Sequence, residues 1–288
     1  MTEWLGFMLL GFSPGLFWMW LIYQRDRYLP SPISLVVRTF IWGALAVIPI
    51  AAVEGVLSLD IDIDDGSASV NGLAYMAFIV AGGVEEVGKF LVVRTTLKRS
   101  PYLREPKDGM IFAAAAALGF ASFENVGYIY SFGWEVILLR GPFSTVAHVV
   151  FAGIWGAALG MKGRRMKPEW IWYAVGAAAL VHGAFDFFLF TDNAIWAFVL
   201  FIGGAIGFFM ALRWAISSKG GSRQISRLQL SCAECGAPRS EHSRYCTNCG
   251  ETLTGIAKGM PAACSVCGSM VRVGHHYCTG CGSRLVQA

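Results

Sequence analysis

Seven apolar runs of membrane-spanning length constrain this chain more than any other feature of its sequence. They lie at Trp4–Gln24, Ile33–Leu59, Leu73–Leu97, Gly109–Ser131, Phe143–Met161, Trp170–Phe190 and Ala194–Ile216. A helix needs about 20 apolar residues to cross the hydrocarbon core of a bilayer. An all-α polytopic membrane protein of about seven transmembrane helices is therefore predicted. Composition agrees: 15% of the 288 residues are charged, against about 25% in soluble domains. The first run lacks a basic n-region and a small-residue cleavage site, which reads as an uncleaved span. The stretch 132–142 reads as a loop, or as an interfacial helix anchored by Trp134.

Loop charge sets the expected orientation. Arg25 and Arg27 follow the first span, and Lys98, Arg99, Arg104 and Lys107 the third. Lys162, Arg164, Arg165 and Lys167 follow the fifth, and Lys219, Arg223 and Arg227 the seventh. The alternate loops are acidic or nearly neutral. By the positive-inside rule the N-terminus lies outside the plasma membrane and the C-terminal region in the cytoplasm. The acidic loop Asp60-Ile-Asp62-Ile-Asp64-Asp65 lacks EF-hand spacing and reads as a solvated loop. The basic residues serve topology, and nucleic acid is not an expected partner.

All eight cysteines follow Ser231. Residues 1–217 therefore form a membrane domain, 218–231 a flexible linker, and 232–250 and 264–282 two small metal modules. Cys232, Cys235, Cys246 and Cys249 make one pair of C-x-x-C hairpins; Cys264, Cys267, Cys278 and Cys281 repeat it. Two such hairpins bring four thiolates to one tetrahedral zinc. A glycine follows each pair (Gly236, Gly250, Gly268, Gly282), where the turn needs positive φ. The reducing cytoplasm disfavours disulfides, and iron in a four-thiolate site is the lesser reading. Four cysteines close each site, leaving His242, His275 and His276 as bystanders. Two structural four-cysteine zinc sites in a zinc-ribbon pair are expected, able to bind a cytosolic protein or stabilise the tail.

Ionisable side chains inside spans are costly, and so point to function. Span three carries Glu85-Glu86-Val-Gly-Lys89. Glu85 and Lys89 are i, i+4 neighbours on one helix face, and Glu86 is turned about 100° away. Span four carries Phe123-Glu124-Asn-Val-Gly-Tyr128, with Glu124 and Tyr128 one turn apart, so that the hydroxyl can orient the carboxylate. Span five carries His148, and span six carries His182-Gly-Ala-Phe-Asp186. There Asp186 is expected to accept the Nδ1 proton of His182. Glu124, His148 and His182 lie within about 12 Å of the outer ends of their spans, with Glu85 nearer the midplane. One shared cavity, open toward the outer half of the bilayer, follows. Each group also has a plainer reading as a buried pair or packing contact.

The four motifs in order resemble the PrsW family of intramembrane proteases, related to the CAAX prenyl endopeptidases and bacteriocin-processing enzymes. Glu-Glu-x-x-Lys matches Glu85, Glu86 and Lys89, and Phe-Glu-x-x-x-Tyr matches Phe123, Glu124 and Tyr128. The next helix supplies His148, and His-x-x-x-Asp matches His182 and Asp186. The resemblance covers roughly 73–190 and leaves the zinc ribbons outside it. It implies peptide-bond hydrolysis in or beside the membrane, on membrane-anchored proteins such as anti-sigma factors.

Hydrolysis needs an activated water, oxyanion stabilisation and a proton for the leaving amine. Glu85 is the expected base, with Glu86 as its partner or alternate. His148 and His182 position the water and stabilise the oxyanion, and Asp186 orients His182. Glu124 with Tyr128 supports them, and Lys89 holds the carboxylate pair. A second version makes the same glutamates and histidines ligands of a catalytic zinc. The metal-free, glutamic-type protease is favoured because no H-E-x-x-H pair occurs. Two other classes compete: an ion or proton transporter, and a non-catalytic scaffold that recruits partners through its ribbons. The membrane part shows no internal repeat of the kind transporters carry.

Overall fold

The computed structural model describes residues 2–24, 31–58, 61, 68–98, 100, 102–103, 105–161, 167, 169–217, 262–263 and 270–271. The cysteines, the linker 218–231 and most of the acidic and basic loops lie outside the described residues. Two units are present: a membrane unit ending near Ala215, and a unit that contains the C-terminal region.

Every described element of the membrane unit is helical. In chain order it comprises α1 (Thr2–Tyr23), α2 (Ile33–Leu57), α3 (Val70–Tyr75), α4 (Glu85–Thr96), α5 (Pro106–Phe132), α6 (Ile137–Leu139), α7 (Thr145–Gly160), α8 (Glu169–Phe190) and α9 (Ala194–Ser217). Six segments among the described residues are long and apolar enough to cross a membrane: those of α1, α2, α5, α8 and α9, and the stretch Trp134–Gly160 that ends in α7. The remaining expected span is an unbroken helical run from Val70 to Thr96. In it, π-helical turns at Met76–Val84 join α3 to α4. Its charges at Glu85, Glu86, Lys89 and Arg94 set it apart from the other six.

The region 132–142 is mostly helix, not loop. Gly133, at φ +89°, ends α5 in a conformation that side chains avoid. A 3-10 turn at Trp134–Val136, then α6, then a π-helical turn at Arg140–Ser144 lead straight into α7. Trp134 is exposed, as an interfacial anchor should be.

Helix α5 is the central post, packed by α1, α2 and α7. In lipid the hydrophobic effect gives helices no reason to associate, so small residues that let backbones meet take its place. The run Ala113–Ala117 is fully buried. A Cβ at Gly119 would strike the Phe40 carbonyl of α2, one at Gly43 the Ala116 backbone, and one at Gly109 the Gly156 carbonyl of α7. Gly11 and Gly15 of α1 face Val126 and Ser122 in the same way. The π-helical turns before α4 lie on α8, where Gly82 meets Ala179 and Gly183.

The outer surface is apolar, with Leu5, Leu9, Ile48, Val56, Leu180, Ile195 and Met210 all exposed. Aromatic side chains gather near helix ends: Trp4 stacks on Tyr130 at 5.3 Å, and Trp170, Trp172 and Tyr173 open α8. This is a multi-pass membrane protein with its polar groups turned inward. In the C-terminal region, β1 (Ala262–Ala263) and β2 (Met270–Val271) pair antiparallel, Ala262 with Val271 and Ala263 with Met270. In sequence these short strands bracket the third C-x-x-C pair.

Candidate active site

The ionisable residues of four spans meet at one place. Helix geometry puts Glu85 and Lys89 on one face of α4, and Lys89 is wholly buried there. A buried ammonium needs three acceptors for its three protons, and Lys89 has them. Nζ donates to Glu85 Oε2 at 2.8 Å, Glu86 Oε1 at 2.9 Å and His148 Nδ1 at 2.9 Å. It also lies 4.4 Å from the Phe120 ring centroid.

The two adjacent glutamates differ sharply. Glu86 has no exposed surface. Its Oε1 accepts from Lys89 and from His182 Nδ1 at 3.1 Å, and its Oε2 from the Trp155 indole at 2.9 Å. Both its oxygens are committed. Glu85 keeps slight exposure, and its Oε1 has no hydrogen-bond partner among the described residues. Its Oε2 lies 3.7 Å from His148 Nδ1 and 3.9 Å from His182 Nε2.

The histidines are held by packing and charge. His148 lies edge-on to His182 at 5.3 Å, and His182 stacks on Phe151 at 4.7 Å. His148 Nδ1 accepts from an ammonium, so a neutral ring carries its proton on Nε2. That nitrogen lies 3.0 Å from Glu124 Oε2. Asp186 does approach His182, but at Nε2 (3.3 Å) and not at the expected Nδ1. Glu86, on another helix, occupies Nδ1, a pairing that spacing along α8 could not reveal.

The expectation for Tyr128 also needs correction. No hydrogen bond joins it to Glu124 among the described residues; its ring underlies Arg140, whose Cζ is 3.5 Å from the ring centroid. Glu124 is paired instead by Arg140 Nη2 at 3.0 Å.

Sequence reasoning missed four contributors. Arg140 looked like a loop charge, Asn125 like motif filler, and Trp155 like one apolar residue among many. The fourth is Glu54 of α2, one turn beyond Ile50, which fills the space over Gly88 of α4. Glu54 lies within electrostatic reach of Glu85 and Glu124, and its enclosed Oε1 lacks a hydrogen-bond partner among the described residues. A signal for it existed: it is the only acid in the run Ile33–Leu59.

Glu85, His148 and His182 each offer a ligand atom, all within 4.8 Å of one another. Two imidazoles and a carboxylate match the donor set of catalytic zinc sites. The arrangement does not fit an ion as it stands, because the Lys89 ammonium occupies the His148 Nδ1 lone pair. A metal there requires Lys89 to withdraw.

A polytopic bundle that buries a carboxylate, two imidazoles and an ammonium around one point has the makings of a hydrolytic membrane enzyme. Comparison with known proteins makes the class specific. The family model described as PrsW family intramembrane metalloprotease matches residues 31–215, and the one described as Double zinc ribbon matches 232–282. Protease PrsW of Clostridioides difficile (strain 630) is 34% identical over 206 residues, covering 69% of this chain and 84% of the relative. Protease PrsW of Oceanobacillus iheyensis is 30% identical over 209 residues, covering 72% and 90%. Protease PrsW of Bacillus subtilis (strain 168) is 26% identical over 193 residues, covering 66% and 85%. No solved structure matches the chain. The chain belongs to the PrsW family and carries a C-terminal double zinc ribbon.

Proposed function

We propose that this chain is an intramembrane endopeptidase in which Glu85 activates the attacking water. The observation that carries the reading is the meeting of Glu85, His148 and His182 from three spans within 4.8 Å. Glu85 Oε1 is the one carboxylate oxygen of the Glu85–Glu86 pair left open to hold water. It takes a proton from that water as the oxygen attacks the scissile carbonyl, and returns it to the departing amine. The Lys89 ammonium, donating to Oε2, aims Glu85. His182, held between Glu86 and Asp186, presents Nε2 toward Glu85 and stabilises the oxyanion, while His148, accepting from Lys89, holds the ammonium in place against Glu85. Glu86 anchors the set; Glu124 supports His148.

The substrate class is a membrane-anchored protein, with a single-span regulator of the anti-sigma type as the leading example. The N-terminus lies outside the plasma membrane and the ribbons in the cytoplasm, where Cys232, Cys235, Cys246 and Cys249 hold one structural zinc. Cys264, Cys267, Cys278 and Cys281 hold a second, and the ribbons offer a surface for a cytosolic protein.

Cleavage of a single-span substrate in liposomes tests the reading. Glu85→Gln, His148→Ala and His182→Ala each lower cleavage by about 10²- to 10⁴-fold, the usual worth of a general base. Wild-type rates in all three variants refute it. The spacing of the same three donors supports a second reading, in which they hold a metal once Lys89 withdraws, with a carboxylate as base. Metal analysis of the full chain separates the two: about two zinc ions per chain for the first and three for the second.

A further inference from the structure

Arg140 belongs to none of the four motifs, yet it closes the rim of the site. Its Nε donates to Asn125 Oδ1 at 2.9 Å, its Nη2 lies 3.0 Å from Glu124 Oε2, and its guanidinium lies over the Tyr128 ring. Asn125 is itself tied down, donating to Thr145 Oγ1 at 3.0 Å, at the start of the helix that bears His148.

The turn that carries Arg140 is fixed from the opposite side. The Gly141 carbonyl accepts from the Trp18 indole of α1 at 3.0 Å. A Cβ at Gly141 would lie 3.2 Å from Pro14 Cγ, a tight contact that the glycine avoids. Helix α1 precedes the span matched by the family model. A chain of contacts thus runs from α1 through Trp18, Gly141 and Arg140 to Glu124.

The same Glu124 oxygen faces both Arg140 and His148 Nε2, each at 3.0 Å. Neither approach has the angles of a regular hydrogen bond, so charge and not directionality holds Glu124 in place. Without the guanidinium, Glu124 loses the charge that seats it, and its contact with His148 Nε2 is released. A His148 ring free to turn drops its Nδ1 contact with Lys89 and exchanges tautomers, and the ammonium then loses the third acceptor that aims it at Glu85.

We propose that Arg140 is a positioning residue: by holding Glu124 against His148, it fixes the Nε2–H tautomer of His148 and, through Lys89, the seat of Glu85. The catalytic consequence rests on the hydrolytic reading above; the tautomer does not. The test uses the full chain in liposomes with a single-span substrate, together with 15N spectra of the histidine rings, His148 being assigned by its loss in His148→Asn. Arg140→Gln lowers kcat about 10- to 100-fold with KM nearly unchanged, the usual effect of losing a partner behind a functional imidazole. Arg140→Lys recovers part of the rate. Low-millimolar guanidinium revives Arg140→Ala, whereas sodium chloride at equal ionic strength does not. In a Glu124→Gln background Arg140→Gln costs nothing further, since the two act as one unit. The 15N spectrum of His148 shows a neutral Nε2–H ring in the wild type and loses that signature in Arg140→Gln.

Wild-type kcat in Arg140→Gln, full additivity with Glu124→Gln, or an unchanged His148 spectrum overturns the proposal. If Glu85→Gln cleaves normally, the hydrolytic reading falls while the spectrum still decides the role of Arg140. Should Arg140→Gln not fold, Trp18→Phe, which loosens only the turn, decides the matter through kcat and the His148 signal: both change if Arg140 positions the site, and both stay at wild type if it does not.

Discussion

The sharpest prediction contrasts two adjacent glutamates. Glu86→Gln keeps the shape of the side chain and replaces one acceptor oxygen with an NH2 group. The Trp155 N–H still finds the remaining oxygen. Lys89 Nζ and His182 Nδ1, at 2.9 and 3.1 Å from Glu86 Oε1, then face donor against donor. Each hydrogen bond to a charged group contributes about 1.5–3 kcal/mol, so two lost in a site with no exposed surface come to about 3–6 kcal/mol, overlapping the range of about 3–5 kcal/mol for breaking a buried ion pair. Glu85→Gln loses much less, because a Gln Oε1 still accepts from Lys89; about 1 kcal/mol is expected. Unfolding in mixed detergent micelles, followed by tryptophan fluorescence against SDS fraction, measures both. Glu86→Gln should unfold at clearly lower SDS, whereas Glu85→Gln should fold almost normally and yet not cleave. Equal destabilisation by the two substitutions, or a stable and inactive Glu86→Gln beside an active Glu85→Gln, would refute the assignment of anchor and base.

Three further outcomes are expected. Trp155→Phe leaves Glu86 Oε2 without its donor and costs about 1–3 kcal/mol in the same SDS titration, with cleavage reduced but not abolished. Gly119→Val drives a side chain into the Phe40 backbone of α2 and destabilises the bundle by about 1–3 kcal/mol or more, whereas the same change at Gly6, which faces open space, leaves the midpoint nearly unmoved. Cysteines introduced at Asp62, Arg165 and Ser222 report orientation in intact cells: a membrane-impermeant thiol reagent labels position 62 and spares the other two, and labelling of position 165 from outside would reverse the proposed topology.

The sequence by itself determined everything that depends on distance along one helix. Runs of apolar residues marked the spans because a bilayer has one thickness, and i, i+4 spacing put Lys89 on Glu85 and Asp186 beside His182 because a helix has one pitch. The zinc-ribbon pair was legible for a related reason, since its ligand spacing is a local property of two tight turns. Tertiary structure alone decided what crosses between helices. That Glu86 and not Asp186 takes His182 Nδ1, that Trp155 closes Glu86, and that Arg140 rather than Tyr128 holds Glu124 all follow from how closely glycines and alanines let α5, α7, α8 and the turns before α4 approach. Those approaches join residues 16 to 96 positions apart, where no periodicity operates. Only packing selects one contact among the many a buried polar group could make.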